Sequence, residues 1–357
     1  MEKLVMLDMK FWLNKRVLIT GHTGFKGRWL VATLLKLNAK IIGFSLKDEK
    51  RKDYEKFLDH KKIKNIYADV GDYKKLKKEI KKTNPDIVFH LAAQPLVADS
   101  YIDPLKTFYT NFTGSINIFE ITRELKIKSV VVITSDKCYL NKEIFRGYRE
   151  NDQLGGKDPY SASKASVEIA FESYLQSFFF KEKKIGIATA RAGNVIGGGD
   201  WSKNRIIPDC VKTVIKKKNM IIRSPNSTRP WQHVLEPISG YLILGEKLFK
   251  SPKKFSGSWN FGPRHKETKK VIEVAKIIIN KIYSKKKIKI IYKKSNFKEA
   301  NLLKLNSNKA NKFLKWSTKW SMLQALNKTA NWYDCYVRKK NTKIVTENQI
   351  EDYFLND

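Results

Sequence analysis

The sequence has few cysteines and no long hydrophobic run. Its 357 residues contain three cysteines, which are scattered and lack the spacing of metal ligands: Cys138, Cys210 and Cys335. No apolar stretch approaches the roughly 18 residues that a membrane-spanning helix requires. Charged residues interrupt the N-terminal segment, which argues against a secretory signal peptide. These absences predict a cytoplasmic protein without a metal centre.

Acidic residues are also scarce. The chain has 35 Asp and Glu against 71 Lys and Arg, which gives a formal net charge of +36. Such an excess is typical of proteins that bind nucleic acid or anionic membranes. However, the lysines are spread along the whole chain, and no aromatic RNA-binding motif accompanies them. We therefore predict no nucleic-acid or membrane partner, while an anionic small-molecule substrate agrees with the charge.

Low-complexity linkers and internal repeats are absent as well. Short apolar runs alternate with helix-like segments up to about residue 190, which predicts a parallel sheet covered by helices. The predicted strands are 16–20, 40–45, 63–70, 86–91, 128–134 and 185–191. We therefore predict an α/β fold, a Rossmann-like doubly wound parallel sheet, in a first domain over residues 12–190.

The pattern loosens beyond residue 190 into loops rich in Gly, Pro and Trp. Residues 191–357 are predicted to form a smaller α+β substrate-binding domain, with residues 228–262 returning to the first domain. Long helices are expected over 102–125 and 159–180. The last residues, 342–357, are polar and are expected to fray.

A glycine-rich turn follows the first predicted strand. Gly21, Gly24 and Gly27 stand three residues apart, immediately before a predicted helix over 29–37. Glycines at this place allow a tight turn and a close approach of the backbone to a pyrophosphate at the helix N-terminus. The turn, with a strand before it and a helix after it, predicts a dinucleotide site.

Small or polar residues follow the other strands. The second strand ends at Ser45, with Asp48 nearby, and this position leaves NAD and NADP both open. The third strand ends near Asp69, a candidate for an adenine pocket, and the fourth runs into the small residues of 92–94. The fifth ends at Ser135. Ligands of such sheets bind beyond the carboxyl ends of the strands, where all these residues are expected to meet.

The stretch Asp-Pro-Tyr-Ser-Ala-Ser-Lys places a phenol and an ammonium four residues apart. Asp158 and Pro159 are suited to begin a helix. The spacing puts Tyr160 and Lys164 on one helix face. A neighbouring cation favours the ionised phenol, whose ordinary pKa is about 10, so we predict Tyr160 as a base. Taken alone, the same spacing is common at exposed helix starts.

The motifs together resemble the extended short-chain dehydrogenase/reductase family, in its NAD-dependent epimerase/dehydratase group. The motifs that carry the resemblance are Thr-Gly-His-Thr-Gly-Phe-Lys-Gly (20–27), His-Leu-Ala-Ala-Gln (90–94), Ser135, Tyr160 and Lys164. Longer stretches, 134–139, 191–201 and 229–237, resemble the nucleotide-sugar 4,6-dehydratases that act on CDP-glucose. The resemblance covers roughly residues 12–335. It implies NAD as cofactor, CDP-glucose as substrate, a homodimer or dimer of dimers, and a place in deoxysugar biosynthesis such as that of O-antigen or lipopolysaccharide.

The resemblance also implies roles for individual residues. Ser135 would hydrogen-bond the sugar 4-hydroxyl, Tyr160 would take its proton, and Lys164 would hold the nicotinamide ribose. Asp136 would protonate the leaving 6-hydroxyl. Lys137 stands where related dehydratases of TDP-sugars have a glutamate that removes the C5 proton, so the C5 base is either Lys137 or another group.

Two sets of binding residues are implied as well. The cofactor-binding residues are Gly21, His22, Thr23, Gly24, Phe25, Lys26, Gly27, Asp69, Val70, Leu91, Ala92, Ala93, Gln94, Asn111, Tyr160 and Lys164. The substrate-binding residues are Gln94, Ser135, Asn194, Trp201, Arg205, Arg229 and His233. The arginines suit a diphosphate because a guanidinium can donate two parallel hydrogen bonds.

Two other functions stay open. One is a dehydratase or epimerase of a TDP-, GDP- or UDP-hexose. Asp136 and Lys137 speak against an epimerase, which needs only the serine, tyrosine and lysine. The other is a non-catalytic relative that binds nucleic acid through its positive charge, and the intact set of Ser135, Tyr160 and Lys164 speaks against it.

Overall fold

Thirteen strands and thirteen α-helices are found in the part of the chain that the computed structural model describes, residues 7–47, 60–222, 224–263, 268–282, 288–292 and 302–355. The strands are β1 (Arg16–Thr20), β2 (Lys40–Ser45), β3 (Ile63–Tyr67), β4 (Ile87–His90), β5 (Ser129–Ile133), β6 (Gly186–Arg191), β7 (Val195–Ile196), β8 (Met220–Ile222), β9 (Thr228–Arg229), β10 (Gln232–His233), β11 (Gly257–Asn260), β12 (Lys269–Lys270) and β13 (Ile290–Tyr292). The helices are α1 (Met9–Trp12), α2 (Phe25–Lys36), α3 (Tyr73–Thr83), α4 (Val97–Ile102), α5 (Pro104–Phe108), α6 (Gly114–Leu125), α7 (Pro159–Ser177), α8 (Ile206–Lys216), α9 (Leu235–Lys250), α10 (Pro252–Phe255), α11 (Val271–Lys281), α12 (Met322–Val337) and α13 (Thr342–Phe354).

Seven of the strands form a parallel sheet in the order β11-β6-β5-β4-β1-β2-β3. Strands β4, β5 and β6 are buried throughout, as expected where helices cover both faces of a sheet and leave no side facing water. The predicted α/β, doubly wound parallel sheet is confirmed. Each of the six predicted strands is present, within three residues of its predicted ends.

Two hydrophobic cores lie on opposite faces of the sheet. Successive residues of a strand point to opposite faces, so Phe89 packs in one core and Val88 in the other. Helices α2 and α9 cover the first core, with large rings such as Trp29. Helices α6 and α7 cover the second, with Phe119 and Phe171. Since α7 packs directly on the sheet, its N-terminal end is held firmly beside the ends of the strands.

The start of α7 follows the prediction closely. The carboxylate of Asp158 accepts hydrogen bonds from Ser161 N (2.9 Å) and Ser161 Oγ (2.6 Å), and Pro159 occupies the first turn, where no backbone donor is needed. The helix ends at Ser177, and a separate 3-10 turn, Phe179–Lys181, follows it.

The helix expected over 102–125 is confirmed from Pro104 to Leu125, where α5, a π-helical turn at Tyr109–Thr113 and α6 follow one another without a break. It begins two residues later than predicted, because α4 ends at Ile102 and Asp103 caps α5 by accepting a hydrogen bond from Lys106 N (2.9 Å), with Pro104 in the first turn. Such π-turns are frequent at functional sites.

The expected fraying of residues 342–357 is also wrong. Residues Thr342–Phe354 form α13, whose buried side chains include Ile350 and Tyr353. The Tyr353 hydroxyl donates to Glu236 Oε2 (2.5 Å), and its ring packs edge-on against Trp320 at 5.0 Å between centroids. The polar composition hid the contact because only one narrow face of this helix is apolar.

Three two-stranded sheets lie outside the central one, pairing β7 with β10, β8 with β13, and β9 with β12. Strand β11 extends the central sheet beside β6, and α9 packs on it, so the chain does return to the sheet after residue 228. The division into domains at residue 190 stays a prediction. Among the described helices, none is both long and apolar enough to span a membrane.

The docking of α13 yields a stability prediction. Changing Tyr353→Ala removes a buried ring and its hydrogen bond, so the free energy of unfolding should fall by about 3–5 kcal/mol in a urea titration. The matched control is Ile344→Ala on the same helix, where the side chain is 52% exposed and the change should stay within about 0.5 kcal/mol. Equal effects of the two changes would contradict the docking.

Candidate active site

The glycine-rich turn connects β1 to α2 and lies against the end of β4. Gly21 has φ of +70°, and a Cβ there would lie 2.7 Å from Ala92 N. A Cβ on Gly27 would lie 2.2 Å from Gly21 O. Both positions therefore require glycine. The turn presents the backbone N–H groups at the start of α2, where Gly24 is the N-cap, so it forms a cradle for an anion.

The side chains of this turn take different roles. The His22 ring is fully buried, and its Nε2 lies 2.8 Å from Asn65 Oδ1, so only the backbone of His22 can line the cradle. Thr23 Oγ1 donates to Ser45 Oγ (3.2 Å) at the end of β2. The predicted candidate Asp48 lies outside the described residues.

Lys26 lies on the first turn of α2, with Phe25 preceding it, and its side chain is half-buried. Burial lowers the pKa of its ammonium to about 8, helped by the positive charge of Arg205 and opposed by the negative charge of Asp136. The side chain is therefore within electrostatic reach of the carboxylate that follows β5. The motif predicted only cofactor binding for Lys26, because a local motif does not show that α2 points toward β5.

The loop after β4, which includes Leu91, Ala92 and Ala93, is held by hydrogen bonds from Asn111. Asn111 Oδ1 accepts from Gln94 N (2.8 Å), and its Nδ2 donates to Ser163 Oγ (2.9 Å) on α7. Asn111 is fully buried, so it positions the loop and does not offer its amide to a ligand.

Gln94 likewise uses its side chain within the loop. Its Oε1 accepts from Leu96 N (2.6 Å) and its Nε2 donates to Thr107 Oγ1 (3.0 Å). Both side chains thus support the loop, and ligand binding by Asn111 and Gln94 stays a prediction.

The end of β3 is a tight turn at Asp69. Asp69 Oδ1 accepts a hydrogen bond from Gly71 N (2.9 Å), and Asn117 Nδ2 donates to Val70 O (2.9 Å). Val70 itself is buried against Gly114 at the start of α6. The half-buried Asp69 stays available at the strand end, where an adenine pocket was predicted.

Ser135 and Asp136 follow β5 in a short 3-10 turn and form the polar centre of the site. Ser135 Oγ donates to Asp136 Oδ1 (2.9 Å), and both side chains lie close enough to Tyr160 to act on the pKa of its phenol. A Cβ on Gly193 would lie 1.9 Å from Asp136 Oδ2, so glycine at 193 makes room for this carboxylate. By contrast, the side chain of Lys137 is exposed.

Tyr160 and Lys164 lie on the buried face of α7. Burial raises the pKa of Tyr160 to about 12, with Asp136 acting in the same direction and the Ser135 hydrogen bond opposing it. Lys164 Nζ donates to Ile133 O (3.4 Å), and burial lowers the pKa of its ammonium to about 8. The expected lowering of the Tyr160 pKa is thus wrong for the free protein, because burial outweighs the positive charges.

The first group of predicted substrate residues is half-buried and consists of Arg205, Asn194 and Arg229. Arg205 forms an ion pair with Asp200 (3.0 Å), and its positive charge acts to lower the pKa of Tyr160, so it belongs to the site. Asn194 adopts φ of +49° directly after Gly193 and is partly exposed. Arg229 lies on β9, paired with Lys269 of β12.

His233 and Trp201 face the protein interior. The His233 ring is fully buried between Trp29 and Trp320, at 5.4 and 4.9 Å between centroids. Its predicted contact with a substrate is therefore corrected to a packing role. The Trp201 ring packs on Tyr336 of α12 at 4.8 Å.

Sequence reasoning missed a buried ion pair beneath the site. Glu168 Oε2 accepts from Arg191 Nη2 at 2.7 Å, and both side chains are almost wholly buried. Glu168 follows Lys164 by one helical turn, which is the signal that could have found it. In the described part of the chain, no three His, Cys, Asp or Glu side chains are grouped to hold a metal ion.

Comparison with known proteins agrees with this arrangement. The model of the GDP-mannose 4,6-dehydratase family matches residues 18–329. The chain belongs to this family. It is 40% identical to the CDP-glucose 4,6-dehydratase of Salmonella typhimurium, over 98% of each chain.

The chain also shares its fold with solved proteins of low sequence identity. An epimerase from Methanothermobacter thermautotrophicus superposes with a TM-score of 0.81 at 22% identity, over 93% of this chain and 97% of that one. The dTDP-glucose 4,6-dehydratase of Bacillus anthracis, solved in complex with NAD, has a TM-score of 0.75 at 21% identity, over 91% and 98%. These likenesses confirm the predicted Rossmann-like α/β fold.

Proposed function

We propose that the protein dehydrates CDP-glucose to CDP-4-dehydro-6-deoxyglucose. The observation that carries the proposal is the hydrogen bond from Ser135 to the buried Asp136, which places an acid beside Tyr160 in a site built for oxidising an alcohol. The 40% identity to a CDP-glucose 4,6-dehydratase over the full chain supports this substrate. The product would enter deoxysugar biosynthesis in the cytoplasm.

The described residues fit a bound NAD. The cradle of Gly21 and Gly27 has no room for side chains, which suits a pyrophosphate against the start of α2. Asp69 would hold the adenosine end and Lys164 the nicotinamide ribose. When bound, NAD⁺ would accept the hydride from C4 of the sugar and return one to C6.

Tyr160 would remove the proton of the sugar 4-hydroxyl, and Ser135 would orient that hydroxyl. With a pKa of about 12 the phenol is protonated at neutral pH in the free protein, so added positive charge is needed beside it. The cationic nicotinamide ring of bound NAD⁺ would supply that charge. Proton transfer by a positioned side chain contributes ~10²–10⁴-fold to the rate.

Asp136 and Lys137 would carry out the loss of water. A ketone at C4 makes the C5 proton acidic, because the carbanion is then delocalised onto oxygen. Asp136 would protonate the leaving 6-hydroxyl from its buried place beside Ser135. Lys137 is exposed next to it, and we assign it the C5 proton.

The CDP group would lie beside α8. Arg205, Asn194 and Arg229 would bind the diphosphate, since arginine recognises phosphate oxygens through two parallel hydrogen bonds. Trp201 would border the nucleotide from its packed position on α12.

Epimerisation of a nucleotide sugar is the second candidate, favoured by the epimerase among the structural neighbours. It needs Ser135, Tyr160 and Lys164 but leaves the buried Asp136 without a chemical role.

Incubation with CDP-, dTDP-, UDP- and GDP-glucose tests the function. We expect the ultraviolet signature of a 4-keto sugar with CDP-glucose and at most a trace with the others. A new hexose of unchanged oxygen content would instead indicate epimerisation. A protein that alters none of them and binds random-sequence RNA in a strongly salt-dependent manner would be a nucleic-acid-binding relative.

Tyr160→Phe tests the base. Turnover should fall by about 10²-fold or more, because no phenol remains to take the 4-hydroxyl proton. The dissociation constant of CDP-glucose should change little, which calorimetry measures. Tyr174→Phe near the C-terminal end of α7, where the hydroxyl donates to Glu120 Oε1 (2.7 Å), serves as a control of the same chemical change away from Ser135. Normal turnover in Tyr160→Phe would refute the assignment.

Asp136→Asn tests the acid. Loss of water should slow by about 10²–10⁴-fold, since the amide cannot protonate the leaving hydroxyl. Oxidation at C4 should continue, so deuterium from D₂O should enter C5 of the recovered CDP-glucose, as mass spectrometry would show. If dehydration keeps its normal rate, the acid lies elsewhere.

We also propose that two copies pair through α4, α5 and α7. Ile102 and Leu105 are 82% and 83% exposed, and Tyr101 and Ile169 are exposed as well. Apolar area of this kind commonly marks an interface. Sedimentation should give a dimer, and Leu105→Asp should shift it toward the monomer. A monomeric wild-type protein at micromolar concentration would contradict the pairing.

A further inference from the structure

A buried carboxylate lies directly beneath the proposed catalytic residues. Glu168 is 1% exposed, and its oxygens accept four hydrogen bonds. Oε1 accepts from Thr134 Oγ1, and Oε2 accepts from Arg191 Nη2 (2.7 Å), Thr189 Oγ1 (2.7 Å) and Ser258 Oγ (3.1 Å). A buried charge with this many partners is costly unless each is well placed. The mechanism proposed above assigns no role to Glu168.

The partners of Glu168 lie on or directly after three neighbouring strands. Thr134 follows β5 and precedes Ser135, Thr189 and Arg191 are on β6, and Ser258 is on β11. Arg191 continues the network, since its Nη1 donates to Tyr139 Oη (2.6 Å). The carboxylate thus connects α7 with the strand end that carries the proposed acid and serine.

Glu168 lies one helical turn from the proposed ribose-binding lysine. Lys164 precedes it by four residues on α7, and both are buried. Burial lowers the pKa of Lys164 to about 8, and the negative charge of Glu168 is the largest influence that opposes this shift. Without that charge, a smaller fraction of Lys164 would be protonated at neutral pH.

The other titratable groups around Lys164 do not replace this charge. Burial lowers the pKa of His90 to about 3, so its ring is neutral, and burial raises the pKa of the Cys138 thiol well above its ordinary value. Lys26 adds a positive charge. Although burial opposes ionisation of Glu168, its ion pair with Arg191 keeps the pKa of this carboxyl below its ordinary value.

We propose that Glu168 is a positioning residue of the active site: its carboxylate holds Lys164 in the ammonium form and fixes the strand end that carries Ser135. This inference rests on the proposed function, because it assigns a task to a residue that acts through Lys164. Glu168 touches neither the sugar nor the cofactor. Its effect is therefore on the pH range of activity as well as on its rate.

The test compares the pH profiles of kcat/KM for CDP-glucose in the wild type and in Glu168→Gln. Activity should fall as pH rises through the pKa of Lys164, and in the variant this alkaline limb should move to lower pH by about one unit or more. The control is Glu172→Gln, the same change one turn further along α7, where the side chain is exposed and hydrogen-bonds Gln176. Its profile should match the wild type.

Two further variants separate charge from packing. Glu168→Asp keeps the charge, so its alkaline limb should return toward the wild-type position even where the rate is reduced.

Glu168→Gln combined with Arg191→Met leaves no unpaired buried charge, so it should fold where the single change does not. Its alkaline limb should also move to lower pH. The proposal would be overturned if the alkaline limb of the pH profile did not move in this double variant. It would also be overturned if Glu168→Gln and Glu168→Asp lost rate equally and neither moved the alkaline limb.

Binding of NAD⁺ provides a reading that does not require the sugar. Calorimetric titration across the same pH range should show the affinity of the wild type falling above about pH 8 and that of Glu168→Gln falling earlier. This shift without any turnover of CDP-glucose would leave the inference standing and the proposed function refuted. If the binding curves of the wild type and Glu168→Gln coincide while turnover is normal, the inference is refuted and the proposed function stands.

Discussion

The position of the Ser135 hydroxyl is the constraint on which the rest of the site depends. This hydroxyl donates to Asp136, which follows β5, and lies beside Tyr160 of α7. The contact exists because α7 packs across the sheet with Phe171 in the core, and because Asp158 caps the helix beside the strand ends. The glycine-rich cradle and Lys164 are arranged around this point.

Burial sets the protonation states at the site. It raises the pKa of the phenol at Tyr160 and lowers those of the ammonium groups at Lys26 and Lys164, so all three groups are pushed toward their neutral forms. Desolvation penalises any charged form, whatever its sign. In such a site, small changes in neighbouring charge shift the equilibrium between the protonated and deprotonated forms of these groups.

The sequence predicts well what depends on local patterns. The apolar runs located the six strands, the Asp-Pro pair located the start of α7, and the glycine spacing located the cradle. It predicts poorly what depends on packing between distant segments. His22 and His233 occur in motifs typical of binding sites, yet their rings are buried against residues far along the chain. The narrow apolar face of α13 and the ion pair of Glu168 with Arg191 were likewise invisible without the tertiary structure.

The central claim is that the hydride removed from C4 of the hexose is the one that returns to C6. Turnover of CDP-glucose carrying deuterium at C4, followed by NMR and mass spectrometry of the product, tests it most directly. The account predicts one deuterium in the product, located at C6 within the same sugar molecule. Deuterium that is lost entirely to water, or that lies at a carbon other than C6, would contradict it.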